Sequence, residues 1–202
     1  MTAMDYLASY KELLSIAQAG LHYGNDRFDL VRYQELNDLA LQLIQNLGNE
    51  PQEVIHDLFS HESGYQTPKV DVRAFITQDS KVLLVQDSKT LEWSLPGGYA
   101  DVGFSPEENT RKEVYEETGL NVEVKRLKAI FDTNLRKDIP QAFQYYKLVF
   151  DCEILSGSFI ENLETNQMHY FALDNLPVLS KKRTTQEQLV QLMQENNTSY
   201  FE

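Results

Sequence analysis

The stretch EVYEETGL, residues 113–120, sets Glu113, Glu116 and Glu117 at positions i, i+3 and i+4. On a helix that spacing gathers three carboxylates on one face, where like charges cost about 0.2–0.5 kcal/mol per pair. Either the face is simply solvated, or a divalent cation sits on the acids. The flanks bear on the choice. SPEE at 105–108 supplies Ser105 as N-cap, Pro106 at the first helical position and Glu108 for a capping box. Gly119 stands where a helix takes a left-handed C-cap. The predicted helix therefore runs over 106–118, and its acids fall in the second half, at the negative end of the helix dipole. Local preference is violated twice, a pattern expected at functional sites. A hard cation such as Mg²⁺, bound by carboxylates, water and substrate phosphate, removes the conflict.

Immediately upstream is WSLPGGYADVG, residues 93–103. Its Gly-Gly pair lets backbone approach a ligand or metal without a side chain in the way. With the capped acidic helix it makes a specific combination, and here the sequence resembles the Nudix hydrolases. Their signature, G-x5-E-x7-R-E-U-x-E-E-x-G-U with U a bulky aliphatic residue, lays onto Gly98, Glu113, Val114, Glu116, Glu117, Gly119 and Leu120. Two positions depart together. Phe104 replaces the first Glu and Lys112 the Arg, which in typical members form a structural ion pair.

The resemblance implies an α+β Nudix sandwich, α/β/α with a mixed sheet. It also implies attack of water on a diphosphate bridge, dependent on Mg²⁺ or Mn²⁺. Within the family, the segment 97–120, the strand TPKVDVRAFI and a helical N-terminal extension are similar to the branch acting on nucleoside diphosphates linked to X, such as CDP-choline and ADP-ribose. The products are NMP and phosphorylated X. The implied metal ligands are Gly97, Glu113, Glu116 and Glu117. A further acid from outside the helix usually serves as base or extra ligand. Glu161 and Glu164 are available, with Glu164 in the loop before the last strand, and Glu116 is the alternative base. Two rival readings stand beside this one: a house-cleaning or RNA-end triphosphate pyrophosphohydrolase, and a non-catalytic nucleotide-sensing module. The intact carboxylate cluster weighs against the latter.

Other residues carry two readings each. Arg73, beside Asp71, either forks onto substrate or pairs with Asp71. Trp93 is core or a base-stacking platform. Lys112 screens the carboxylates, touches phosphate or lies on the surface. Phe104 occupies the N′ position of a hydrophobic staple whose partner would be the polar Asn109. The expectation is that Phe104 buries elsewhere or lines the cleft, and that some contact other than the lost ion pair braces the Gly-Gly loop. His22, His56, His61 and His169 show no metal-ligand spacing.

The elements that must hold these residues follow from periodicity. Leu7, Tyr10, Leu14, Ala17 and Leu21, then Tyr33, Leu36, Ala40, Leu43 and Leu47, predict two amphipathic helices broken at Gly24-Asn25-Asp26. Val54, Ile55, Leu58 and Phe59 suggest a shorter third. This gives a helical domain at 1–66, suited to packing and homodimerisation, and a Nudix domain at 67–202, joined through SGYQTPKV. Beyond the linker the period becomes two: Val70–Ile76, Lys81–Val85, Tyr146–Ile154 and Met168–Leu173 read as strands. A last helix is predicted from near Thr184, with Glu187 closing its capping box.

Composition limits the partners. With 31 acidic against 18 basic residues, the formal charge of −13 opposes broad nucleic-acid binding. Cys152 is the sole cysteine, so no intrachain disulfide forms and a reducing, cytoplasmic setting is expected. The N-terminus does not read as a signal peptide, and no stretch predicts a membrane span.

Overall fold

A computed structural model describes residues 3–47, 65–136, 139, 141, 143–194 and 198–202. The chain divides into two compact units, Met1–Thr67 and Pro68–Glu202. In the first, helices α1 (Ala3–Tyr23) and α2 (Arg27–Leu47) form a hairpin. Asp26 caps the second helix, its carboxylate accepting the N–H groups of Phe28 and Asp29 at 2.9 and 3.1 Å. Leu14, Ala17, Ala40 and Ile44 are buried, while Ile16, Phe28, Val31 and Leu39 are exposed. The suggested third helix, Val54 to Phe59, lies outside the described residues. Among those described, no helix is long and apolar enough to cross a membrane.

Among the described residues, the second unit has eight strands and two α-helices: β1 (Lys69–Phe75), β2 (Thr77–Gln78), β3 (Lys81–Asp87), β4 (Trp93–Ser94), α3 (Pro106–Thr118), β5 (Leu120–Asp132), β6 (Tyr145–Gly157), β7 (Thr165–Phe171), α4 (Gln186–Leu192) and β8 (Tyr200–Phe201). One mixed sheet runs β1-β6-β5-β8, with β1 parallel to β6 and β5 antiparallel to it. The other is antiparallel, with β3 between β2 and β4 on one path and paired also to β7. Alternate side chains bury on opposite faces. Val72, Ala74, Leu83, Phe150 and Cys152 pack with Val114 of α3. Phe75, Val82, Leu84, Val149 and Trp93 pack with Leu189 and Leu192 of α4. Both faces are thus covered by helix, and the expected α/β/α layering follows from the period-two pattern.

One local expectation needs correction, and one strand has no counterpart among those read from the sequence. The cap of α4 sits one residue later than read: Thr185 is the N-cap and Gln188, not Glu187, completes the capping box. Either Thr184 or Thr185 satisfies the sequence rule. Thr184 is occupied otherwise, its hydroxyl accepting the Leu95 N–H at 2.9 Å. Strand β5 was not legible as one long strand, because its register with β6 shifts three times and its buried parity changes along its length.

What this fold does for the glutamate helix is to lay the Gly-Gly segment along the free edge of β1. The N–H groups of Val72 and Ala74 donate to the carbonyls of Gly98 and Pro96 at 2.8 and 2.9 Å, and Ala100 N–H donates to Val70 at 3.0 Å. The segment is pinned by the sheet on one side and faces α3 on the other.

Candidate active site around helix α3

Helix α3 has the ends its sequence specifies. Ser105 and Glu108 form the reciprocal capping box, Pro106 opens the helix, and Gly119 closes it at φ 76°. Its buried residues include Asn109, Val114 and Glu117. The C-terminal half therefore presses against the sheet and carries Glu117 inward.

Glu117 is the buried anchor. Its carboxylate accepts the Gly97 N–H at 2.8 Å. Gly97 has φ 136°, and a Cβ there would lie 2.1 Å from the Val72 carbonyl, so only glycine fits. Desolvation pushes the Glu117 carboxyl up to about 7, against the opposing pull of Arg73 and the Gly97 N–H. Glu113 is partly buried and lies against Gly98, where a Cβ would come within 2.4 Å of its Oε2. Its carboxyl is raised by burial, with Lys112 opposing and Glu116 reinforcing the rise. Glu116 is half-exposed and meets Lys112 at 2.9 Å. Glu117 and Glu113 are thus held at the Gly97–Gly98 turn, while Glu116, on the same helix, is paired with Lys112. Among the described residues, no three acidic, imidazole or thiol groups already close around a single point. The donors are hard oxygens, and two of the acids are held where burial disfavours their charge. That chemistry fits Mg²⁺ or Mn²⁺.

Arg73 stands behind this contact. Of the two roles its sequence position allows, the geometry gives pairing with Asp71, through Nε at 2.9 Å and an Nη at 3.2 Å. Its other Nη donates to the Leu95 carbonyl at 3.1 Å. Both side chains are buried, so the guanidinium sits inside the protein with its charge directed at Asp71, Glu117 and Glu113, which together hold its proton against desolvation. Trp93 is core, 8% exposed, with its ring edge-on to Phe171 at 4.8 Å. Glu161 and Glu164 are exposed on the loop before β7. That loop is tied to α3, since Asn162 donates to the Glu117 carbonyl at 3.0 Å and Ile160 N–H to that of Thr118 at 3.1 Å.

The two departures from the family pattern resolve unexpectedly. Lys112 is not left over: its ammonium meets Asp101 at 3.1 Å, Glu116 at 2.9 Å and Glu113 at 3.5 Å. Its pKa is raised, first by the Glu116 bond and then by Asp101. An ion pair between helix and loop exists after all, with Asp101 supplying the acid three residues before Phe104. Phe104 itself is 51% exposed, so the expectation that it buries is overturned. The brace is Asn109. Its amide oxygen accepts Asp101 N–H at 2.9 Å, while its nitrogen donates to the carbonyls of Asp101 at 3.2 Å and Phe104 at 3.4 Å. Asn109 was overlooked because, in the staple reading, it counted only as an absent apolar partner. A polar residue on the buried side of a helix was the available signal.

Asn109→Ala is expected to cost about 1–3 kcal/mol in urea unfolding, since it removes the three hydrogen bonds that a buried side chain gives the loop backbone. Phe104→Ala should stay within about 0.5 kcal/mol of the parent. The opposite ranking would refute this assignment of the brace.

The geometry has counterparts among known proteins. A family model described as "UDP-X-like, N-terminal oligomerisation domain" matches residues 4–59, and one described as "NUDIX domain" matches residues 67–193. YjhB of Bacillus subtilis (strain 168), named for a proposed ADP-ribose pyrophosphatase activity, is 40% identical over 187 residues, 93% of this chain and 90% of that one. A crystal structure of a UDP-X diphosphatase is similar at TM-score 0.65 and 38% identity, covering 100% of both chains. That of an ADP-ribose pyrophosphatase from Streptococcus suis 89-1591 is similar at TM-score 0.60 and 41% identity, over 67% of this chain and 100% of that one. With its N-terminal helical unit and its glutamate helix closed on a Gly-Gly turn, the chain belongs to the Nudix hydrolase family.

Proposed function

We propose that the protein is a divalent-metal-dependent pyrophosphohydrolase of nucleoside diphosphates linked to X, of the ADP-ribose, UDP-X or CDP-choline type, releasing NMP and phosphorylated X. The observation that carries this reading is the contact of Glu113 and Glu117 with the Gly97–Gly98 turn, two carboxylates held by the fold where burial raises their pKa. Mg²⁺ or Mn²⁺ bound there would polarise the diphosphate and lower the pKa of an attacking water. Glu113, Glu116 and Glu117, with the Gly97 backbone, are the residues to hold it. Glu117 and Glu113 are fixed by packing. Glu116 is the adjustable member, since it must leave Lys112 to join them. Lys112 keeps the remaining negative charge tethered to Asp101 and so holds loop to helix whatever Glu116 does.

The general base is Glu116 or Glu164. Glu164 lies on a loop whose Asn162 and Ile160 are hydrogen-bonded to the last turn of α3, which supports its candidacy over that of an unattached surface acid. Arg73 is best read as a positioning residue. It fixes Leu95 and the approach to the Gly-Gly turn and counters the charge of Glu117 from behind, in place of the direct substrate contact first considered.

The reaction assignment is tested by product and by metal. Turnover of ADP-ribose, UDP-glucose or CDP-choline should cease in excess EDTA, return with Mg²⁺ or Mn²⁺, and yield NMP with no free phosphate until a phosphatase is added. Glu117→Gln and Glu116→Gln should each lose about 10²- to 10⁴-fold in kcat while remaining folded. Full activity in EDTA, or phosphate and pyrophosphate as first products from nucleoside triphosphates only, would sink the reading.

The helical unit supports a homodimer. Ile16, Phe28, Val31 and Leu39 are exposed on a hairpin that buries Leu14, Ala17, Ala40 and Ile44, which leaves apolar side chains for a second copy to cover. The full-length protein should sediment as a dimer at micromolar concentration and residues 67–202 alone as a monomer. A full-length monomer would contradict this.

A further inference from the structure

The reaction reading accounts for the diphosphate and leaves the base unplaced. Trp93, the aromatic residue nearest to the Gly-Gly turn on its N-terminal side, is spent on the core. On the other side of the turn the situation is reversed. Tyr99 follows Gly98 directly and keeps 62% of its surface exposed. It is not a loose surface ring. Its ring lies on that of Tyr145 with centroids 5.5 Å apart and planes 13° from parallel, and the two hydroxyls are 3.2 Å apart. Phe143 meets Tyr145 edge-on at 6.5 Å, and the Lys69 ammonium lies 4.7 Å over the Phe143 ring.

The strand register says where this platform faces. Tyr99 bridges Asp71 across the free edge of β1, and Asp71 is the partner of Lys147 across the other edge. Residues opposite one another in register share a sheet face, so Tyr99 stands in one row with Asp71 and Lys147, on the face where Arg73 also lies. Arg73 and Lys147 are both buried cations, and Asp71 is the acid in that row.

We propose that the exposed face of Tyr99, backed by Tyr145, is the surface on which the nucleobase of the substrate stacks. The proposal rests on the diphosphate reading above, because the turn that holds Glu113 and Glu117 then fixes the phosphates one residue from the ring. Stacking explains why a large aromatic stays exposed here yet is held flat by a second tyrosine. A stacked base is recognised by its π-face and not by its edge, so this platform tolerates more than one base.

The test has a binding arm and a kinetic arm. Tyr99→Trp places an indole at the site, and titration with AMP or UMP should quench its emission saturably. Tyr99→Ala, which retains only the buried Trp93, should show no such quenching, and neither should Tyr99→Trp with ribose 5-phosphate. On ADP-ribose, Tyr99→Ala should raise KM by about 5- to 100-fold, with kcat moving far less. Tyr99→Phe, which keeps the ring and loses the hydroxyl contact, should recover most of that loss. On 5-phosphoribosyl diphosphate, which has the diphosphate and no base, wild type and Tyr99→Ala should bind alike. Absent quenching, quenching by ribose 5-phosphate, or an equal KM increase on the base-free compound would overturn the platform. So would a loss confined to kcat, or a change in sedimentation, which would assign Tyr99 to the loop or to an interface between copies. If the wild type hydrolysed no nucleoside diphosphate-X compound, the reaction reading would fail, and the quenching arm would still decide the platform.

Discussion

The bond from Gly97 N–H to the Glu117 carboxylate is the constraint on which the rest depends. It joins the C-terminal half of α3 to a turn that is itself the outer strand of β1. To make it, Glu117 must be buried at the dipole end least favourable to its charge, and desolvation raises its pKa to about 7. The neighbouring features are arranged around that cost. Gly97 adopts a backbone that a side chain would forbid. Arg73 is buried behind, neutralised by Asp71 and reaching Glu117 through space. Glu113 lies against Gly98. A cation at this contact would convert a set of local penalties into a ligand shell.

The loop that follows the turn shows how a departure from a family pattern is compensated. Losing the Glu and Arg of the usual ion pair would leave residues 99–104 without a tie to the helix. Instead Lys112 pairs with Asp101 on the surface, and Asn109 binds the Asp101 backbone from beneath. The second contact is the stronger argument. An exposed lysine pair contributes roughly 0–1 kcal/mol, whereas removing the buried amide takes three hydrogen bonds from the loop backbone. Loop geometry is therefore set by a neutral hydrogen-bonded side chain, and Lys112 is free to trade partners between Asp101 and Glu116.

How much of this was legible in the sequence depends on distance along the chain. Helix α3 could be read to the residue, because capping boxes and αL caps are local rules. The β1 and β6 strands were likewise plain in their alternation. The role of Asn109 was not, since it depends on where residues 101–104 fold back, and a polar residue at a staple position reads only as a missing contact. Arg73 had two roles open to it, and the choice turned on its burial against Asp71 and the Leu95 carbonyl, 22 positions away in sequence. Tyr99 has no motif role in the sequence. Its significance comes from Tyr145, 46 positions away in sequence, and from a bridge to Asp71 that no motif announces. In α4 the ambiguity was between adjacent threonines, resolved by a hydrogen bond from Leu95 across the core.

We propose that the cation site lies between α3 and the Gly97–Gly98 turn. Paramagnetic broadening of backbone amides in a ¹H–¹⁵N spectrum, on adding substoichiometric Mn²⁺ to the full-length protein, reads that location without reference to turnover. The amides of Gly97 and Gly98 and those of residues 113–118 should broaden first, and excess Mg²⁺ should restore them. Broadening that begins at other acids, such as Asp29, Glu35 and Asp38 of the helical unit, or that spreads evenly over the chain, would contradict it.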